Sequence, residues 1–275
     1  MKSSNPALAH VIPSQDRTGV QAVTTLDDDV FVVRSRCQQV EVYDAVTLTL
    51  QRPISVPGLG PWSHGITACA RNRCIYLSAE DNNNVHRAEL SGSNAVKKWS
   101  VARQPRGLSV NKARNLVVAY GGANKLQEYT THGTLVREIC LQAGVKSPWH
   151  AIQLSTGDYV VSQLTSPGVV SVVGVDGQVV HSYGQSQTSD VGQMKYPRSL
   201  AVTKNEDILV ADEGNNRILS INRSTGCVQE LALSVDGGIQ RPRGLCLDES
   251  RGRLYVGEWG GRHRVLVFDG VNITP

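Results

Sequence analysis

The feature that most constrains this chain is a unit repeated six times. Each copy opens on a small residue leading into an apolar run: Gly19-Val20, Gly65-Ile66, Gly107-Leu108, Ala151-Ile152, Ser199-Leu200 and Gly244-Leu245. A second short run follows in every copy: VFVV (30–33), IYLS (75–78), LVVA (116–119), YVVS (159–162), ILVA (208–211) and LYVG (254–257). After a polar loop come VEVYD (40–44), VHRAEL (85–90), KLQEY (125–129), VVSVV (169–173), RILSI (217–221) and RVLVF (264–268). Five copies add a fourth run, namely 48–54, 95–101, 135–141, 179–183 and 227–233. The period is roughly 41 to 49 residues, varying through its loops.

Alternation with period two, broken by turn residues every ten or so positions, excludes helical repeats. Four short antiparallel strands per period describe a β-propeller blade. The sixth copy lacks a fourth strand, and the chain has a spare apolar segment, LAHVI (8–12), ahead of the first opening. The expectation is an all-β, six-bladed propeller forming one domain over 1–275. Its blades fall near 19–57, 61–101, 105–144, 148–186, 197–235 and 242–275, and strand 8–12 completes the last one. Such closure removes an exposed sheet edge, so a monomeric ring is expected.

The fifth copy, YPRSLAVTKNEDILVADEGNNRILSI (196–221), resembles an NHL repeat, whose pattern is P-x-G-[VI]-A-V, a strand ending V-A-D, then G-N-x-R-I. The sixth, RPRGLCLDESRGRLYVGEWGGRHRVLVF (241–268), is similar, the third is recognisable and the others are degenerate. The style is that of NHL domains at the C-terminus of tripartite-motif proteins. That resemblance implies a module for RNA or for protein partners, including the recognition domain of a ubiquitin ligase. The chain has no RING finger, B-box or coiled coil, so it carries no ligase chemistry.

Net charge is +4, too small by itself to argue for nucleic acid. Its distribution says more. The loops entering the inner strands hold Arg17, Arg103, Arg106, Lys146, Lys195, Arg198, Arg241 and Arg243 against one acid, Asp16, with Trp62, Trp149 and Tyr196 interleaved. The opposite turns read TLDDDV, TGD, VDG, NED and DES, rich in acid. Cations neutralise phosphates and exposed rings stack on unpaired bases, so a basic, aromatic face suits single-stranded RNA. A protein partner anchored by Trp, Tyr and Arg is the alternative.

The residue before each opening is Thr18, His64, Arg106, His150, Arg198 and Arg243. At equivalent blade positions these form a ring near the channel mouth, free of carboxylate, which makes an anion site. For Arg106 and Arg243 the favoured reading is structural, the side chains fixing blade spacing. In the loops between second and third strands, Arg217 is expected to pair with Asp212 and Arg264 with Glu258.

A less favoured reading is a metal-dependent hydrolase or lyase with His64 and His150 as ligands; two histidines and no carboxylate in that ring make a thin metal site. No cofactor and no catalytic residue is expected. The six cysteines lack zinc spacing and read as reduced thiols. No secretory leader or membrane span is apparent, so the expected location is cytoplasmic.

Overall fold

A computed structural model describes residues 6–91, 95–184 and 191–271. Residues 92–94, 185–186 and 272–275 of the expected blades lie outside that set. β1 (Ala7–Ile12) begins the chain. Blade 1 is β2 (Val20–Leu26), β3 (Asp29–Arg34), β4 (Gln39–Asp44) and β5 (Leu50–Ser55). Blade 2 is β6 (Ile66–Cys69), β7 (Cys74–Ala79), β8 (Asn84–Glu89) and β9 (Val96–Ser100). Blade 3 is β10 (Pro105–Val110), β11 (Leu116–Tyr120), β12 (Lys125–Tyr129) and β13 (Leu135–Cys140). Blade 4 is β14 (Pro148–Gln153), β15 (Tyr159–Gln163), β16 (Val169–Val173) and β17 (Val179–Tyr183). Blade 5 is β18 (Pro197–Val202), β19 (Ile208–Asp212), β20 (Arg217–Ile221) and β21 (Val228–Glu230). Blade 6 is β22 (Pro242–Asp248), β23 (Arg253–Glu258) and β24 (Val265–Asp269), completed by β1.

The closing pairing is antiparallel, with Leu8 opposite Phe268 and Ile12 opposite Val265. Each blade is a four-stranded antiparallel sheet, and the inner strands β2, β6, β10, β14, β18 and β22 touch in ring order. The fold is an all-β six-bladed propeller.

Burial explains why the second runs read as nearly unbroken apolar strings. β7, β11, β15 and β19 are buried along their whole length, because both faces meet a neighbouring blade. Outer strands such as β13 are mostly exposed, Leu135 and Val136 included. The core is six separate clusters, one in each seam between blades.

The opening residues are small for a reason that lies in the next blade. A Cβ on Gly65 would meet the Arg106 carbonyl oxygen at 2.4 Å, and one on Gly107 would meet that of Trp149 at 2.6 Å. The tight entry itself falls on the residue before the proline. Gln104, Ser147, Tyr196 and Arg241 all adopt positive φ, between 47° and 59°.

The fourth run of blade 5 departs from expectation, since only Val228–Glu230 pairs. Beyond it Leu231, Leu233 and Val235 turn inward and pack on the seam between blades 5 and 6.

Candidate anion-binding mouth

Each loop entering an inner strand is stitched to its blade's loop between the second and third strands. Gly214 N–H donates to the Lys195 carbonyl at 2.8 Å, and Trp259 N–H to that of Arg241 at 3.0 Å. The end of the second strand holds the same loop from inside. Asp212 accepts from Lys195 N–H at 2.7 Å, Gln163 from Lys146 N–H at 2.7 Å, and Glu258 from Gln240 N–H at 2.8 Å. Asp212 and Glu258 also take the guanidinium groups of Arg217 and Arg264, each at 2.8 Å, as the loop spacing implied. The blade-4 copy, with Gln in place of the acid, keeps the hydrogen bond without the ion pair.

Both sets of loops therefore share one face, around a cavity of about 540 Å³ lined by Trp62, His64, Arg106, Trp149, Arg198 and Arg243 among others. The expected ring before the inner strands is present, but it is not free of carboxylate. Glu213, 2 % exposed, receives Arg198 at 2.5 Å, Arg243 at 3.0 Å and Arg241 at 2.8 Å. Arg243 reaches on to Gln21 of blade 1 at 3.0 Å, joining three blades. Burial and neighbouring Arg198 push Arg243 down to about 10, so it keeps its charge at neutral pH. Arg198 and Arg243 are thus buried structural cations, not free anion receptors.

The aromatic residues divide in the same way. Trp149 is 5 % exposed and packs between two guanidinium groups, Arg198 at 3.9 Å and Arg106 at 4.9 Å from the ring centre. Trp259, which the loop reading passed over, carries Arg243 at 4.0 Å and Arg241 at 4.3 Å. Trp62 and Tyr196 remain open, at 44 % and 41 % exposure.

The two histidines differ from each other. His150 Nε2–H donates to the Leu108 carbonyl, and its Nδ1 accepts Leu200 N–H, both at 3.0 Å. It staples blades 3, 4 and 5, and desolvation holds it down to about 4. With both nitrogens engaged it is corrected from candidate ligand to structural residue. Among the described residues no group of three or more His, Cys, Asp or Glu is placed to hold a metal ion. His64 Nε2–H donates to Glu80 at 2.7 Å, while its buried Nδ1 has no partner. Burial lowers its pKa against the pull of Glu80, so Nδ1 is a buried acceptor on a residue that lines the cavity.

Arg106 is the least committed guanidinium of the ring. It donates to Ser147 Oγ at 3.0 Å, but its buried Nε has no partner. Arg103, Lys146 and Lys195 are exposed and make no ion pair among the described residues, whereas Arg241, although exposed, is held by Glu213.

The opposite face is less acidic than its turns implied. Arg73 pairs with Asp27 at 2.8 Å, and Arg251 pairs with Asp28 and Asp248. Arg251 shares a turn with Asp248, whereas the pairs with Asp27 and Asp28 join the turns of neighbouring blades, and together they cancel part of the acidic charge.

Residues 194–219 and 240–268 match the NHL repeat. No curated protein matches the chain. Among solved structures it is similar to a streptogramin B lyase, with a TM-score of 0.66 and 13 % identity, covering 94 % of this chain and 96 % of that one. Virginiamycin B lyase from Staphylococcus aureus is similar with a TM-score of 0.67 at 10 % identity, over 94 % and 97 % of the two chains. Kuenenia stuttgartiensis hydrazine synthase gives a TM-score of 0.67 at 18 % identity, over 93 % and 78 %. At these identities the likeness is one of fold, and what the comparisons establish is a six-bladed propeller carrying NHL repeats.

Proposed function

We propose that this chain is a binding module that takes single-stranded RNA across the mouth face. One observation carries the reading. Arg103, Lys146 and Lys195, all exposed and unpaired among the described residues, stand with the open rings of Trp62 and Tyr196 on the loops of a single face. Solvated cations exchange counterions for phosphates, and exposed rings take unstacked bases without regard to sequence. The buried floor beneath, with three arginines on Glu213, shapes the platform and does little of the phosphate binding.

The test is fluorescence anisotropy with a labelled random single-stranded RNA at low salt, against a duplex of equal length. The expected result is saturable binding of the single strand in preference to the duplex. No binding at low salt would falsify the reading, and a partner protein held through moderate salt would replace it.

A second reading rests on the His64–Glu80 pair, in which a carboxylate orients an imidazole of the cavity wall whose other nitrogen is buried and unpartnered. This is the arrangement of a general base and its orienting group, and it suits a metal-free hydrolase or lyase. Turnover of a lactone panel that disappears in His64→Gln supports it. Absence of turnover across the panel removes it.

A further inference from the structure

The seam between blades 2 and 3 opens at the outer perimeter into a cleft of about 440 Å³, separate from the mouth. It is lined by Arg87, Lys97, Lys98, Trp99, Thr131 and His132, with no acid among them. Sequence register places its chemistry. Tyr76, Arg87 and Lys97 lie directly opposite one another across β7, β8 and β9, so they share a face. Trp99, two residues beyond Lys97, shares it too. That face looks toward blade 3, where Tyr76 and Trp99 meet Leu116 and Val118. Trp99 is held under the β12–β13 turn, so close that a Cβ on Gly133 would stand 2.7 Å from its ring.

Three polar atoms here are buried and have no hydrogen-bond partner: Arg87 Nε, Trp99 Nε1 and Tyr76 Oη. Arg and Trp nitrogens can only donate. Burial raises the Tyr76 pKa, so its hydroxyl keeps its proton and donates as well. Two obligate donors and a hydroxyl that also donates, all without a partner, are a specific kind of imbalance, and a buried donor left unmade is costly. The nearest internal acceptors do not cure it. Cys74 lies beside Arg87 and Tyr76, but a thiol accepts weakly. Glu89 takes Arg87 Nη1 at 3.1 Å, from a partly exposed position, and leaves the Nε edge free.

In two other seams the same pairing of tyrosine and arginine is completed by a carboxylate. Glu128 accepts from both Arg137, at 2.8 Å, and Tyr159. Glu41 accepts from both Arg34, at 2.8 Å, and Tyr43, at 2.9 Å. In blade 2 the carboxylate present, Glu89, pairs with Arg87 at 3.1 Å and with Lys97 at 3.9 Å but does not reach Tyr76.

We infer that the cleft between blades 2 and 3 binds a phosphate monoester. Its oxyanion takes the free edge of Arg87 and the charge of Lys97, and its organic part lies along Trp99. Tyr76 stands behind them and polarises the Arg87–Trp99 corner. The volume supports an ester over a bare ion, since it lies within the range of small-molecule pockets.

The test titrates full-length protein with inorganic phosphate and, separately, with phenyl phosphate, following the Trp99 indole N–H resonance by NMR. Its assignment comes from loss of the peak in Trp99→Phe. The expected result is a saturable shift with both probes, tighter for phenyl phosphate, and weakened about ten-fold or more in Arg87→Gln. Lys97→Ala, at an exposed position that cannot disturb the core, weakens it by a smaller factor and decides the matter should Arg87→Gln fail to fold. Equal affinity for the two probes overturns the ester half of the inference. No saturable shift with either probe, or a shift unaffected by Lys97→Ala, overturns the site.

Discussion

Glu213 of blade 5 accepts a hydrogen bond from Arg243 of blade 6 at 3.0 Å, with both side chains under a tenth exposed. Arg198 and Arg241 converge on the same carboxylate. Removing one partner of a buried ion pair strands the other, a loss of about 3–5 kcal/mol. Glu213→Gln is therefore expected to lose about 3 kcal/mol or more of unfolding free energy in urea, because it strands two buried arginines. A variant within 1 kcal/mol of wild type would show that the arginines find solvent instead.

The repeated glycine at the start of the inner strand tests the seam directly. In Gly107→Ala the new methyl would stand 2.6 Å from the Trp149 carbonyl oxygen and 2.7 Å from His150 Cα. Overpacking of this kind costs about 1–3 kcal/mol. Gly144→Ala has nothing within 4 Å and serves as control. Thermal melts should separate the two, and coincident melting curves would argue against close packing as the reason for glycine at 107.

Stability should also depend on pH through the buried imidazoles. His150 is held down at about 4 in the folded protein, from an ordinary 6.5, and His64 is lowered as well. Unfolding then takes up protons between those values. The His150 contribution is whole above pH 6.5 and lost as pH falls toward 4, by up to about 1.4 kcal/mol per pH unit. Urea unfolding at a series of pH values should show this slope, reduced in His150→Gln. An unchanged slope in that variant would mean His150 is not the group titrating.

The six openings and the alternating runs carried the architecture into plain view, because strand period and glycine placement are local properties. Loop charges were equally visible, and the local pairs Asp212–Arg217 and Glu258–Arg264 followed from short spacing. What stayed hidden was the mouth's second ring. Its members are one residue past the end of each second strand, including Glu80, Glu213 and Trp259. The pairs expected from sequence took in the strand-end acids Asp212 and Glu258, and in a strand a shift of one residue points to the other side. The partners of Glu213 lie 15, 28 and 30 residues away, so no local pattern announces them. The six-fold symmetry did hold the signal: the position after the second strand varies as Ser35, Glu80, Gly121, Leu164, Glu213 and Trp259. Acids in that register, facing arginines in the entry register, were readable as a pairing.

The salt dependence of RNA binding tests the central claim most directly, that exposed rim cations and not the buried arginines meet the phosphates. Anisotropy titrations over a range of salt, with wild type and with Arg103→Glu, Lys146→Glu and Lys195→Glu combined, give the slope of log affinity against log salt. Loss of three phosphate contacts should make that slope shallower by about 2, with the melting temperature kept. An unchanged slope in the folded triple variant would contradict the account.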